Sequence, residues 1–278
     1  MTHPVGKALW FIETRLGTEL TLADIARCAG LSRYVLLRAF GAATGQSVMR
    51  YVRGRRLSEA ARQLVAGASD ILTVALDAGY GSHEAFTRAF RDQFGLTPDT
   101  VRAQRRLDNV NLVEPIRMDE SLVIELEQPR IELGRAMLIA GLGERYRFET
   151  TQGVPRQWER FGPYIDNIAA QVGHIAYGVC CNADGAGNFE YIADVEVSSF
   201  DDVPSEFSRV RIPAQRYAVF SHREHISRMR ATVYTIWNKW LPSSGYTHAD
   251  APDFELYDER FDARIGNGVV EIWLPIKG

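Results

Sequence analysis

One stretch of this chain is written twice. Ile25-Ala26-Arg27-Cys28-Ala29-Gly30 parallels Val74-Ala75-Leu76-Asp77-Ala78-Gly79, and Ser32, Arg38, Ala39, Phe40 and Gly45 return as Ser82, Arg88, Ala89, Phe90 and Gly95. Arg55-Arg56-Leu57 comes back as Arg105-Arg106-Leu107. Each copy reads as a short helix, a tight turn at glycine and a second helix opened by a serine cap, which is the helix-turn-helix unit. Two such units in register restrict the first third of the chain to helical packing, with helices near 4–16, 21–29, 32–43, 47–66, 71–78, 82–93 and 98–106.

Helical periodicity separates the faces of the second helix in each unit. Leu36, Ala39 and Phe40, and in the copy Ala85, Phe86, Ala89 and Phe90, form an inward stripe. The outward stripes carry Arg33, Tyr34, Leu37 and Arg38, and His83, Glu84, Thr87 and Arg88. Two helices of this kind suit successive major-groove faces of B-DNA, about 34 Å apart. Arg50, Arg53, Arg55, Arg56, Arg102, Arg105 and Arg106 then supply phosphate contacts.

The net charge of -3 argues against nucleic acid only until the chain is divided. Residues 1–108 hold 15 basic against 10 acidic side chains, a balance of +5, and the remainder has -8. Only Lys7, Lys239 and Lys277 are lysines. Arginine fits bidentate phosphate and guanine recognition, although genomic base composition would give the same bias. With 278 residues, 46% hydrophobic and 24% charged, the chain reads as two folded domains, 1–108 and 112–278. It shows neither an export signal nor a membrane-spanning run, so the expected location is cytoplasmic. Cys28, Cys180 and Cys181 lack metal spacing, and the adjacent pair would point to opposite faces of a strand, so neither a disulfide framework nor a metal site is expected.

The run Ala78-Gly79-Tyr80-Gly81-Ser82-His83-Glu84-Ala85-Phe86-Thr87-Arg88-Ala89-Phe90, followed by Phe94-Gly95-Leu96-Thr97-Pro98, closely resembles the signature of the AraC/XylS transcription regulators. The likeness covers roughly residues 5–107. It implies base-facing roles for Tyr34, Leu37, Arg38, His83, Glu84, Thr87 and Arg88. Leu37 departs from the polar residue that close members carry. A leucine can touch a thymine methyl but cannot hydrogen-bond a base edge, so the operator sequence does not transfer.

From about Asn111 the texture changes to alternating strands. Arg135–Leu142 reads as a strand, Arg156–Val172 as an amphipathic helix, and His174–Cys181 with Phe189–Val197 as a hairpin. The order then repeats: Gln215–Ser221 is a strand, a helix carries Ile226, Met229, Val233, Ile236, Trp237 and Trp240, and Phe254–Tyr257 with Val269–Pro275 closes the domain. Two β-α-β-β repeats make an α+β domain, and the whole is a multidomain chain with an all-α double helix-turn-helix in front.

This order, with Tyr191-Ile192-Ala193-Asp194-Val195-Glu196-Val197 and the ending Val270-Glu271-Ile272-Trp273-Leu274-Pro275-Ile276, resembles the GyrI-like effector-binding domains. The resemblance implies a groove between the halves for bulky, often cationic, aromatic molecules, with an acidic residue inside. Strand alternation puts Glu271 on one face with Val269, Trp273 and Pro275. A carboxylate beside an indole suits a delocalised cation; a paired surface glutamate is the alternative. Glu271 is therefore the expected ligand contact, with Trp273, Tyr191, Tyr177 and Trp237 as further candidates.

Gly141-Leu142-Gly143 and Asp184-Gly185-Ala186-Gly187 are incomplete as phosphate loops, and His222, Glu224 and His225 do not match zinc-protease spacing. No cofactor, metal or catalytic residue is expected. The resulting expectation is a DNA-binding transcription regulator with a sensor domain. Its expected partners are double-stranded DNA, an aromatic or cationic effector and, as a third candidate, RNA polymerase, with no membrane partner. Two alternatives stay open for the second domain: a small-molecule hydrolase using a pocket glutamate as general base, and a protein-interaction module.

Overall fold

The structure, a computed structural model, describes residues 3–68, 70–184 and 187–278. It divides into two compact units, one of residues 1–36 and 46–118, the other of residues 37–45 and 119–278.

The first unit holds α1 (Pro4–Glu13), α2 (Leu22–Ala29), the opening turn of α3 (Arg33–Thr44), α4 (Val48–Val65), α5 (Ile71–Asp77), α6 (His83–Phe94) and α7 (Pro98–Gln104). The caps lie where the sequence predicts them. Thr21, Ser47, Ser82 and Thr97 each accept a backbone N–H three residues on, satisfying donors that a helix start leaves open. Gly30 and Gly79, at φ of 70° and 81°, supply the left-handed residue that ends the first helix of each unit. The second copy closes on a core in which Phe86 and Phe90 are fully buried against Leu57, Ala61, Leu64 and Val101. Ala85, predicted to face inward, is exposed. The first helix stops at Glu13 rather than 16, where the Thr14 hydroxyl turns back onto the carbonyls of Trp10 and Phe11.

The second unit is built on an antiparallel sheet of nine strands among the described residues. These are β1 (Arg130–Gly134), β2 (Met137–Arg147), β3 (Gln171–Cys181), β4 (Asn188–Val197), β5 (Ser208–Ile212), β6 (Gln215–His222), β7 (Thr247–His248), β8 (Asp253–Asp262) and β9 (Asn267–Lys277). The order is β1-β6-β9-β8-β3-β4-β2-β5, with β7 added to β9. The two predicted repeats are both present, one as β2-β4-β3 and the other as β6-β9-β8, joined through β3 and β8.

Three departures from the predicted pattern have local causes. The five-residue edge strands β1 and β5 escape prediction because so short a run carries little periodicity. Each precedes one repeat and pairs with the other, β1 on β6 and β5 on β2. The helix predicted over 156–172 is only α8 (Val154–Phe161) plus a 3₁₀ turn at Gly162–Tyr164. Pro163 supplies no N–H to continue it, and Asp166 adopts φ 65°. The second repeat's helix is α9 (Met229–Thr235), continued as a π-turn over Ile236–Trp240.

Cys180 and Cys181 fall on opposite faces of β3, as predicted, in separate apolar clusters. Gly141 and Gly143 lie inside β2, and a Cβ at Gly141 would meet the Ala193 carbonyl at 2.0 Å. That glycine serves close strand approach. In the predicted turn at 184–187, Gly185 and Ala186 lie outside the described residues.

Candidate functional site

Register divides the sheet's side chains into two faces. Glu271, Trp273, Phe254, Tyr177, Val219 and Tyr217 share one, and Glu255, Tyr257, Tyr191 and Phe220 share the other. The helices cover the second: Trp158 of α8 contacts Tyr257 and Trp240 contacts Phe220. The five predicted ligand residues are therefore not gathered at one point. Glu271, Trp273 and Tyr177 lie on the first face, Tyr191 on the second, and Trp237 in the π-turn, buried against His248.

Glu271 is already neutralised. Its carboxylate accepts from Arg130 Nη2 at 3.0 Å, Arg260 Nη2 at 2.8 Å and Trp273 Nε1 at 3.1 Å. Burial pushes its carboxyl up, but the donations from Arg260 and Arg130 outweigh it and hold the group below the ordinary carboxylate range. The sequence placed the carboxylate beside the indole correctly. It could not place two guanidiniums there, one from β1 and the other from β8.

A second acid meets the expectation better. Glu255 Oε2 accepts from Tyr191 Oη and Tyr257 Oη, each at 2.8 Å, and Tyr191 Oη in turn accepts from Trp158 Nε1 at 3.0 Å. Trp158 meets Tyr257 edge to face at 5.0 Å between ring centres. Among the described residues no basic side chain lies within ion-pair distance of Glu255. It keeps a little solvent-accessible surface, yet is packed round closely enough that burial pushes its carboxyl above the ordinary range, against the lowering effect of the two tyrosine donors and of the Arg38 charge. Gly178 makes the cluster fit, since a Cβ there would lie 2.1 Å from Tyr191 Oη and 2.8 Å from Glu255 Oε2. The fully buried Gln157 fixes α8 over it, donating to the carbonyls of Leu142 and Tyr191 and accepting from Tyr146 Oη. Sequence reasoning missed Glu255, Tyr257 and Trp158. The alternation Glu255-x-Tyr257 on a strand was the available signal.

On the first face Asp194 is fully buried, and neither carboxyl oxygen has a well-formed hydrogen bond. Burial pushes it well above the ordinary range, weakly opposed by the Val179 backbone N–H.

In the first unit, Glu84 and Arg88 of α6 are exposed and His83 and Thr87 half-buried, so this outward stripe faces solvent in part. At α3, Arg33 is exposed and Tyr34 half-buried. Leu37 is buried, and Arg38, only 11% exposed, is ion-paired with Asp253 within the second unit. Three of the arginines predicted for phosphate are occupied elsewhere, among them the half-buried Arg102, ion-paired with Asp99 at 3.2 Å. Arg55 is buried, pairing with Glu13 and Glu59 and donating to the Val113 carbonyl. Arg56 donates to the Leu16 and Thr18 carbonyls. Arg55 lies on the inner side of α4 and Arg56 is half-buried at its margin. Arg50, Arg53, Arg105 and Arg106 are exposed. No helix is long and apolar enough to cross a membrane among the described residues, and these hold no acid, histidine or cysteine cluster fit for a metal.

Comparison with known proteins agrees with this anatomy. Residues 127–277 match the GyrI-like small molecule binding domain and residues 25–104 a helix-turn-helix domain. The transcriptional regulator BrlR of Pseudomonas aeruginosa is 29% identical over 209 residues, which cover 69% of this chain and 77% of BrlR. The right origin-binding protein of Escherichia coli K12 is 24% identical over 97% of this chain and 96% of its own length. The regulatory protein SoxS of the same strain is 36% identical over 33% of this chain and 86% of SoxS. A helix-turn-helix segment followed by a GyrI-like domain is thus shared in sequence with these relatives, and the chain belongs to the GyrI-like small-molecule-binding family as a DNA-binding transcription regulator with an AraC-type reader.

Proposed function

We propose that the effector is an aromatic cation received by Glu255, Tyr191, Tyr257 and Trp158, and that its binding is reversible and without turnover. One observation carries this reading: Glu255 accepts hydrogen bonds from two tyrosine hydroxyls among aromatic rings and is within ion-pair distance of no described basic side chain, whereas Glu271 is already balanced by Arg130 and Arg260. A delocalised cation gains both charge pairing and ring-face contact there. Entry requires Trp158 to give way, and α8 is a short helix with no side-chain cap. A bound cation favours the ionised carboxyl, so affinity rises with pH through the raised titration of Glu255.

On the DNA side, Arg33, Tyr34, Arg38, His83, Glu84, Thr87 and Arg88 read bases, the buried Leu37 drops out of the predicted set, and Arg50, Arg53, Arg105 and Arg106 hold phosphates. RNA polymerase is the third partner of this reading.

The test is titration of the whole protein with a cationic aromatic dye and its neutral isostere, followed by tryptophan quenching. Wild type should prefer the cation by about tenfold. Glu255→Gln should erase that preference and Glu271→Gln should keep it. Preference retained in Glu255→Gln and lost in Glu271→Gln returns the site to the first face, and conversion of the dye by excess protein, abolished in Glu255→Gln, favours catalysis.

A further inference from the structure

Within the second unit, Arg38 is received as a ligand would be. Its Nη2 is ion-paired with Asp253 Oδ2, the two side chains being 11% and 6% exposed. Its guanidinium carbon lies 5.5 Å from the Trp237 ring centre and 5.8 Å from that of Phe189. Register puts Asp253 opposite Cys180 and Glu255 opposite Gly178, so both acids project from the same face of β8. Phe189 packs with Cys180 and Tyr191. The place taken by Arg38 is therefore continuous with the cluster around Glu255.

We propose that Asp253, Trp237 and Phe189 form a receiving site for a planar delocalised cation, that Arg38 is its resident occupant, and that a soluble guanidinium or amidinium displaces it. The chemistry favours this class. A planar fork matches a carboxylate through paired donors and stacks against aromatic faces, as a compact ammonium does not. A buried carboxylate stripped of its cation is strongly disfavoured, so the displacing group must itself be positive.

The consequence for DNA rests on the reading of Arg38 as a base reader. The same donors cannot serve Asp253 and a guanine edge together. A cation that replaces Arg38 thus frees it for DNA, and by linkage the two ligands strengthen each other's binding. Asp253 then works as an internal competitor of DNA, and the displacing cation as an inducer.

The probe is benzamidine, with benzamide as its neutral isostere, on the full-length protein and a duplex selected by the protein from a random library. Benzamidine should tighten DNA binding by about fivefold or more, and benzamide should not. Asp253→Asn should bind the duplex as tightly without benzamidine as wild type does with it, and should no longer respond. Arg38→Gln, with the resident removed, should take up benzamidine about tenfold more tightly than wild type, read by tryptophan fluorescence. Equal benzamidine affinity in wild type and Arg38→Gln overturns the proposal, as does an unchanged response in Asp253→Asn. The wild-type comparison of benzamidine with benzamide stands even if a substitution impairs folding, and equal effects of the two overturn the proposal as well. Tighter benzamidine binding by Arg38→Gln with unaltered sequence preference keeps the receiving site and removes Arg38 from base reading. Relaxed preference with unaltered benzamidine affinity does the reverse.

Discussion

Asp194 is a carboxyl placed where a charge has no support: fully buried, without a well-formed hydrogen bond, and on the sheet face opposite Glu255. Its folded-state titration lies well above the 3.8 of an ordinary aspartate, so above that pH the unfolded chain gives up the proton first. The stability contributed by this carboxyl is therefore complete below about pH 4 and falls as pH rises toward the folded value, by about 1.4 kcal/mol per pH unit at most. Urea unfolding between pH 4 and 8 should show this decline in wild type and a flatter profile in Asp194→Asn; parallel profiles would mean that Asp194 is ionised when folded. The ligand carboxylate teaches a related lesson. Alternation correctly put Glu271 beside Trp273, but whether a buried acid is free or already paired depends on strands remote in sequence, and Arg130 is 141 positions away. No local pattern carries that information. Arg55 was misjudged likewise, because basic charge says nothing of which side of α4 turns inward.

At the scale of elements, what was legible was what is local. Caps and left-handed glycines located the helices of the reader, and the doubled order of strands and helices exposed the two repeats. The short edge strands and the early end of α8 were set by pairing across the repeats and by Pro163, and they left little trace in periodicity. Gly178 shows how one backbone position in an element decides a site. Gly178→Ala would drive a methyl group onto Tyr191 Oη and Glu255 Oε2, in the middle of a sheet that cannot open to absorb it. We expect a loss of about 1–3 kcal/mol in urea unfolding together with loss of the cation preference. A stable variant with unchanged dye binding would show that the Tyr191–Glu255 bond is dispensable. Gly143 is a fair comparison, because its Cβ would meet Ser208 Oγ and Glu190, and Gly143→Ala should leave the dye alone.

For the molecule as a whole, the basic first 108 residues and acidic remainder set the terms of DNA binding. Both readers lie in one polypeptide with unlike faces, so the preferred duplex should be asymmetric, about two helical turns long and bound by a single chain. Arg88→Ala should cost about 1–3 kcal/mol on the preferred duplex and relax the choice of base, whereas Arg53→Ala and Arg106→Ala should weaken all duplexes alike and reduce the salt slope. Equal losses on preferred and random DNA for Arg88→Ala would remove it from base reading. The strand order carries one last consequence. β3 and β8 meet at the centre of the sheet, so Trp158 and Tyr191 come from the first repeat and Glu255 and Tyr257 from the second. A molecule lodged among them is a keystone set across a seam: neither repeat can hold it alone, and its presence ties the two into one cooperative body.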